Sequence, residues 1–487
     1  MESKLLRPLS QAVALALAAG GAHAASITVT DGGDAGTASS CTLRQAIVSA
    51  NTDSVQGTCT PGSGADTITF AAGLANATIA LQYGQLLIDS SVTISGSGQT
   101  ITAASGSRVM GIYGNANTTP VVNLTGLTLS GGSTFYTGAG LLISDYAPAL
   151  GRPTPLSHRH APPGNTPAAP VSAPMVTLDH VAISGNTSTA NAQAAGVYIH
   201  ASTVAINYST ISGNTLTTAS NYGAGGIYVT NGISSGSTVT ITNSTISGNR
   251  AGGSAAYLTG GLYTYESNVT IINSTLTGNS ATGADELAGG LSVSSVYGGY
   301  VTTLYDSTVS GNVANSIGGG TYVAGGALVG AFRGGFLVLN NTIVSGNQGA
   351  TDPDISVVSG ATLQSSYGLL GTALQATFSG NGNVFSDAPG LGTLANNGGP
   401  TLTMLPQAGS PALGAGNAAL IPSGVTTDQR GAGFPRVTNG ILDIGAVQAP
   451  AAPIAAPTPA PALSRWAMLA LGGMLGLFGL RKRRRTG

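Results

Sequence analysis

Six nine-residue segments recur through the middle of this chain: LDHVAISGN (178–186), INYSTISGN (206–214), ITNSTISGN (241–249), IINSTLTGN (271–279), LYDSTVSGN (304–312) and LNNTIVSGN (339–347). Their terminal asparagines, Asn186, Asn214, Asn249, Asn279, Asn312 and Asn347, follow one another at intervals of 28, 35, 30, 33 and 35 residues. One unit repeated at this period is the signature of a solenoid, in which each unit buries its apolar face against its neighbours. Between these segments lies a second unit, seen as AAGVYI (194–199), GAGGIYV (223–229), TGGLYT (259–264), AGGLSV (288–293) and AGGALV (324–329). VTITNSTIS (239–247) alternates apolar and polar residues with the period of two expected of strands buried on one face. The density of glycine and β-branched residues argues against helical repeats, and leucine-rich repeats are shorter and dominated by leucine.

Each period therefore reads as one coil of an all-β, right-handed parallel β-helix, with the uneven intervals as loop insertions. Strands in such a stack pair with the same strand of the next coil about 4.8 Å away. Glycines permit left-handed corners. Asparagines at equivalent turns are expected to stack as an amide ladder, each side chain bonding its neighbours along the axis. That gives the six asparagines a structural role.

Residues 1–24 place Lys4 and Arg7 before the apolar run 12–19 and end in Ala22-His23-Ala24, the pattern of a secretory signal peptide. Its apolar run is shorter than the roughly 20 residues a bilayer span requires. The body, residues 25–450, holds eight arginines, sixteen acidic residues and no lysine, a net charge of −8. Such a balance disfavours nucleic acid, whose partners need a basic face. Cys41 and Cys59 are the only cysteines, and in an exported chain they are expected to form a disulfide. They lack the further His or Cys neighbours of a metal site, and no cofactor is expected.

The region 25–135 opens with the strand SITVT and then Cys41-Thr42-Leu43-Arg44-Gln45-Ala46-Ile47, which resembles the CSLREAI motif at the start of many secreted bacterial β-helix proteins. Leu43, Ala46, Ile47 and Ala50 share one helical face, so a short helix is expected to cap the bottom of the solenoid, followed by the first irregular coils. The region 136–395 carries the repeats, interrupted at 145–175 by a proline-rich loop containing Ser157-His158-Arg159-His160. Residues 396–448 resemble the choice-of-anchor Q domain through Ser410-Pro411-Ala412, Asp428-Gln429-Arg430-Gly431 and Asp443-Ile444-Gly445-Ala446. That resemblance implies a C-terminal cap next to a surface-attachment signal. A Pro/Ala-rich spacer (449–461) leads to the tail 462–487, in which Pro461-Ala462-Leu463-Ser464-Arg465-Trp466 precedes an apolar segment and a basic end. The tail resembles the IPTL-type sorting domains of Gram-negative bacteria, related in logic to the PEP-type tails. It implies export, a sorting protease as partner, and membrane contact only through the tail before processing.

The pectate-lyase-like solenoid that this pattern resembles hosts polysaccharide lyases and glycoside hydrolases, but fold alone does not license an activity. Glycoside hydrolysis needs paired carboxylates, and calcium-dependent lyases need clustered acids with a base. Here the acids are scattered. Asp179 and Asp306 read as exposed variants of one repeat position. Asp285, Glu286, Asp352 and Asp354 read as solvated loop acids, with a weak calcium site as the alternative. His180 and His200 are expected on an exposed strand face, and Asp428 and Arg430 are expected to pair or cap a turn. Tyr198, Tyr228 and Tyr263 follow the Gly-Gly pairs and should line up along the axis, either as stabilising stacks or as a carbohydrate-binding row. The sequence thus points to a non-catalytic, surface-displayed β-helix for adhesion or for envelope or matrix interaction, with polysaccharide or another surface as partner. A carbohydrate-active enzyme on the same scaffold is the alternative. An autotransporter passenger would require a membrane β-barrel of alternating strands, a pattern not seen after residue 450.

Overall fold

The computed structural model describes residues 24–115, 117–145, 172–189, 192–217, 222–231, 236–255, 257–296, 298–317, 323–324, 326–329, 334–351, 353–372 and 378–450. Residues 1–23, read above as most of a signal peptide, most of the proline-rich loop with its two histidines, and the sorting tail lie outside the described residues. Met1–Ala449 forms one compact unit, and the account below concerns that unit.

Strands of successive coils stack in parallel into three long faces of a right-handed β-helix, the hand that parallel crossovers take. The first face has 11 strands, running from Ser26–Val29 to Thr362–Ser366. The second, also of 11, runs from Thr78–Ala80 to Val384–Phe385, and the third, of nine, from Leu86–Ile88 to Ile355–Val357. In the repeat region two narrower sheets, of seven and four strands, lie between the second and third faces along the chain. Register follows the repeats: Val204-Ala205-Ile206 pairs with Val239-Thr240-Ile241, and that with Val269-Thr270-Ile271. Alternation within each strand turns one row of aliphatic side chains inward. Ile206, Ile241, Ile271 and Leu304 on the first face, and Ile211, Ile246, Leu276 and Val309 on the second, are fully buried.

Ser-Gly-Asn makes the corner after the second face. Its glycine takes positive φ in every repeat, 61° at Gly213 and 63° at Gly248 and Gly278, conformations a Cβ would strain. The asparagine that follows points inward with no exposed surface in most coils. Its Nδ2 donates to Oδ1 of the next asparagine at 2.9 Å, continuously from Asn186 through Asn214, Asn249, Asn279 and Asn312 to Asn347. Each Oδ1 also accepts the backbone N–H of the preceding asparagine. The ladder reaches further than the repeats: Gly132 N–H donates to Asn186 Oδ1 at one end, and Asp354 Oδ1 accepts from Asn347 Nδ2 and N–H at the other. Asp354 is therefore buried at the ladder's last rung, not a solvated loop acid. Its carboxylate serves there because nothing follows to which it would have to donate. A second ladder, unread in the sequence, uses the serine just before the second-face strand: Ser209, Ser244 and Ser274 each donate a backbone N–H to the next serine's Oγ at 3.1–3.2 Å.

The helix Leu43–Thr52 buries Leu43, Ala46, Ile47 and Ala50. Thr42 and Gln45 close a reciprocal capping box. Arg44 bonds buried Asp34 at 2.8 Å and reaches the Gly84 and Gln85 carbonyls, tying the helix to the first coils. Cys41 and Cys59 are joined by a disulfide. At the other end, residues 396–448 run along the second face, where a terminal cap had been expected. Short Thr and Ser side chains there allow close approach and offer hydroxyls. Thr245 Oγ1 donates to Leu402 O (2.7 Å), Thr275 Oγ1 to Gln429 Oε1 (2.6 Å), and Ala446 N–H to Thr308 Oγ1 (3.0 Å).

Candidate functional site

One left-handed residue joins the first face to the second in each coil: His180, Tyr208, Asn243, Asn273, Asp306, Asn341 and Tyr367, with φ between 46° and 54°. Asparagine, aspartate and histidine tolerate this region; tyrosine is less expected there, and such an outlier is where function is worth seeking. The conformation throws each side chain outward from the corner. At Asn243, Asn273 and Asn341 the amide grips the C-terminal segment: Asn273 Nδ2 donates to Thr427 O (2.8 Å), and Asn341 exchanges two bonds with the Asn417 backbone (2.8 and 3.0 Å). Asp306 meets Arg436 of the same segment at 3.7 Å, both fully buried.

This corrects the reading of Asp179 and Asp306 as equivalent and exposed. Asp179 pairs in register with Asn207, whereas Asp306 stands one place later, level with His180, and is covered by the C-terminal segment. Burial pushes the Asp306 carboxyl up to about 6, against the opposing pull of Arg436.

The segment ends its contact at Tyr208, against whose ring Gly431 packs so closely that a Cβ would lie 3.1 Å away. Beyond it the corner row is open. Thr210 on the second face is half-buried, while its counterparts Thr245, Thr275 and Thr308 are covered. There His180, Val181, Ala182, Tyr208, Thr210 and Pro400 line an open cleft of about 280 Å³. The exposed His180 ring stacks on Tyr208 with centroids 5.2 Å apart. Asp179 Oδ2 lies 3.1 Å from His180 Nδ1, with both side chains in contact with solvent. An aromatic face beside a carboxylate, a ring nitrogen and a threonine hydroxyl suits a ligand that is apolar on one side and rich in hydroxyls at its edge.

Residues 458–485 match the IPTL-CTERM motif. The chain carries a sorting tail. A tail of this kind implies export, surface sorting and processing by a sorting system. No curated protein matches the chain. Among solved structures, the crystal structure of pectate lyase Pel9A is similar over 88% of this chain and 98% of that one, at 12% identity and a TM-score of 0.39.

The tyrosine row forms on the outer side of the third face but is covered over. Tyr228 stacks on Tyr198 at 5.7 Å and on Tyr263 at 4.9 Å, yet Tyr228 is 3% and Tyr263 1% exposed. Ala194, Ala224, Tyr222 and Tyr265 pack around them, because the chain between the asparagine corner and Gly-Gly builds an extra layer over the third face. Burial pushes the hydroxyls of Tyr228 and Tyr263 upward. Of the three, only Tyr198 keeps part of its surface, so the row is no carbohydrate platform.

His200 is likewise buried, with Nδ1 2.7 Å from Asp145 Oδ1, while His180 is exposed as expected. Asp285 and Glu286 stand at the edge of the four-stranded sheet near Tyr257, where burial, reinforced by Asp285, pushes Glu286 up to about 7. Asp352 lies outside the described residues. Among the described residues no three His, Cys, Asp or Glu side chains gather as a metal site would require. The remaining buried charges hold backbone: Asp428 pairs with Arg430 at 2.6 Å, and Glu266 accepts from Ser295 Oγ and the Val296 N–H.

Proposed function

We propose that this is a surface-displayed, non-catalytic binding protein that engages polysaccharide in adhesion or in envelope or matrix interaction, and that the cleft at His180 and Tyr208 is its contact site. The observation that carries this reading is the solvent-facing His180–Tyr208 stack beside Asp179, held at left-handed corners where the equivalent residues of later coils already grip an extended chain. The deployment of the arginines supports binding over catalysis. Arg44, Arg108, Arg430 and Arg436 each bond backbone carbonyls or a buried carboxylate. The sorting tail supports display on the envelope of a Gram-negative cell, and the resemblances at 41–47 and 396–448 fit the same setting.

The test is retention of the purified protein on immobilised neutral and acidic polysaccharides. Tyr208→Ala and His180→Ala should each weaken binding about fivefold, an aromatic contact being worth roughly 1 kcal/mol. Tyr198→Ala should leave it unchanged. Unaltered binding in both cleft variants would remove the site. Release of reducing or unsaturated ends would establish the enzymatic alternative instead.

A further inference from the structure

Among the described residues, Asp66 is a buried acid without a cation. It is 1% exposed, at the start of the first-face strand Asp66–Phe70. Its Oδ1 accepts the Ser63 N–H at 2.8 Å and the Ala25 N–H at 3.0 Å, and its Oδ2 is buried with no hydrogen-bond partner among the described residues. The space around Oδ2 is closed: a Cβ on Gly62 would lie 2.6 Å from it, and the same point is 2.7 Å from Ser49 O. Gly62, Ser63, Ser49, Ala50 and Ser91, which pack around this carboxylate, carry no titratable side chain. An isolated buried carboxylate is costly unless a cation or several donors meet it. Asp34, the other buried acid of the first coils, has Arg44.

Ala25 is also the residue that follows Ala22-His23-Ala24, the small-residue end of the leader. It is held at the edge of the fold, its carbonyl accepting the Thr67 N–H at 2.8 Å.

We propose that the missing cation is the chain's own α-ammonium, created at Ala25 when the leader is removed, and that Asp66 is its built counter-ion. This rests on the signal-peptide reading. A leader peptidase hydrolyses the Ala24–Ala25 bond: water adds its hydroxyl to the Ala24 carbonyl carbon and a proton to the Ala25 nitrogen, and the new carboxyl proton ends on the amine. The single N–H donor at Ala25 becomes a group of three donors and unit charge at 3.0 Å from Oδ1, able to serve both carboxylate oxygens. Processing thereby finishes the first coil, and the unprocessed chain leaves Asp66 with an uncompensated charge.

The composition makes the test clean. The only lysines are Lys4, in the leader, and Lys482, in the tail, so within the body the α-amine is the sole primary amine. The full chain is expressed with its leader in an exporting bacterial host, and the exported protein is sequenced from its N-terminus and treated with an amine-acetylating reagent at pH 7. Acetylation at residue 25 is read by peptide mass. The mature chain should begin at Ala25, and its α-amine should acetylate roughly tenfold more slowly than in Asp66→Asn, as a pKa raised by one unit requires.

The ammonium is the charged form below its pKa, and Asp66 raises that pKa in the folded state. Its stabilisation is therefore complete below the unfolded value of about 8 and lost as pH rises through the folded one. The melting temperature of the mature protein should fall between pH 8 and 10 more steeply than that of Asp66→Asn. Should Asp66→Asn not fold, reductive methylation, which keeps the charge, must leave the wild-type melting temperature unchanged while acetylation lowers it. A retained leader would overturn the signal-peptide reading and the inference with it. Cleavage at another bond, equal acetylation rates, or equal effects of the two modifications would overturn the inference alone.

Discussion

Replacing Asn279 with alanine tests whether the amide ladder carries the stability that its geometry implies. Asn279 Nδ2 donates to Ile246 O (2.9 Å) and Asn312 Oδ1 (2.9 Å), and its Oδ1 accepts the Asn249 N–H (3.1 Å) and Asn249 Nδ2 (2.9 Å). Alanine removes all four. It leaves two donors of Asn249 unpaired at a site with no exposed surface, and Ile246 O without its side-chain donor. Each stranded donor costs about 1–3 kcal/mol, so the variant should lose roughly 2–6 kcal/mol. Thr303→Ala, a half-exposed position on the first face, should change stability by no more than about 0.5 kcal/mol. Urea denaturation measures the loss, and hydrogen exchange at the Asn249 amide locates it, since coils in a solenoid couple chiefly to their neighbours. Asp354→Asn should be mild, because the last rung only accepts. A loss below about 1 kcal/mol in Asn279→Ala, or an Asn249 amide that exchanges as slowly as before, would refute the reasoning.

Gln429→Leu should free the C-terminal segment, because Gln429 bonds Thr275 Oγ1, Thr245 Oγ1, Thr401 Oγ1 and Ser244 O; limited proteolysis should then cut within 396–448 before the repeats are touched. Asp306, raised to about 6 by burial, binds its proton more tightly folded than unfolded, so its contribution favours folding below about pH 4 and is lost as pH rises through about 6. Thermal melts should show that slope, and Asp306→Asn should abolish it. Reducing the Cys41–Cys59 disulfide, which closes a loop of separation 18, should destabilise the first coils by about 3 kcal/mol, read as a lowered denaturation midpoint in reductant.

The solenoid and its asparagine ladder were legible because both are local and repeated. The period places Asn186, Asn214 and Asn249 on one line, and strand alternation turns Ile206 and Ile241 inward, whatever the loops do. Gly132 and Asp354 were missed as ladder ends because neither is an asparagine and Asp354 lies only seven residues past Asn347. The cleft was missed for a different reason. His180 and Tyr208 have the same repeat position as Asn243 and Asp306, but which members of that row stay open depends on how far a segment from 200 residues away extends along it.

By itself, then, the sequence determined the coil, its parallel register, the corner chemistry of Ser-Gly-Asn and the sorting tail, because each rests on residues close together or repeated at a fixed period. Only the tertiary structure decided which surfaces are available. It folded an extra layer over Tyr228 and Tyr263, laid residues 396–448 across successive coils to bury Asp306, and set Ala25 against Asp66. Those outcomes depend on contacts between distant stretches of chain, which no repeat period encodes.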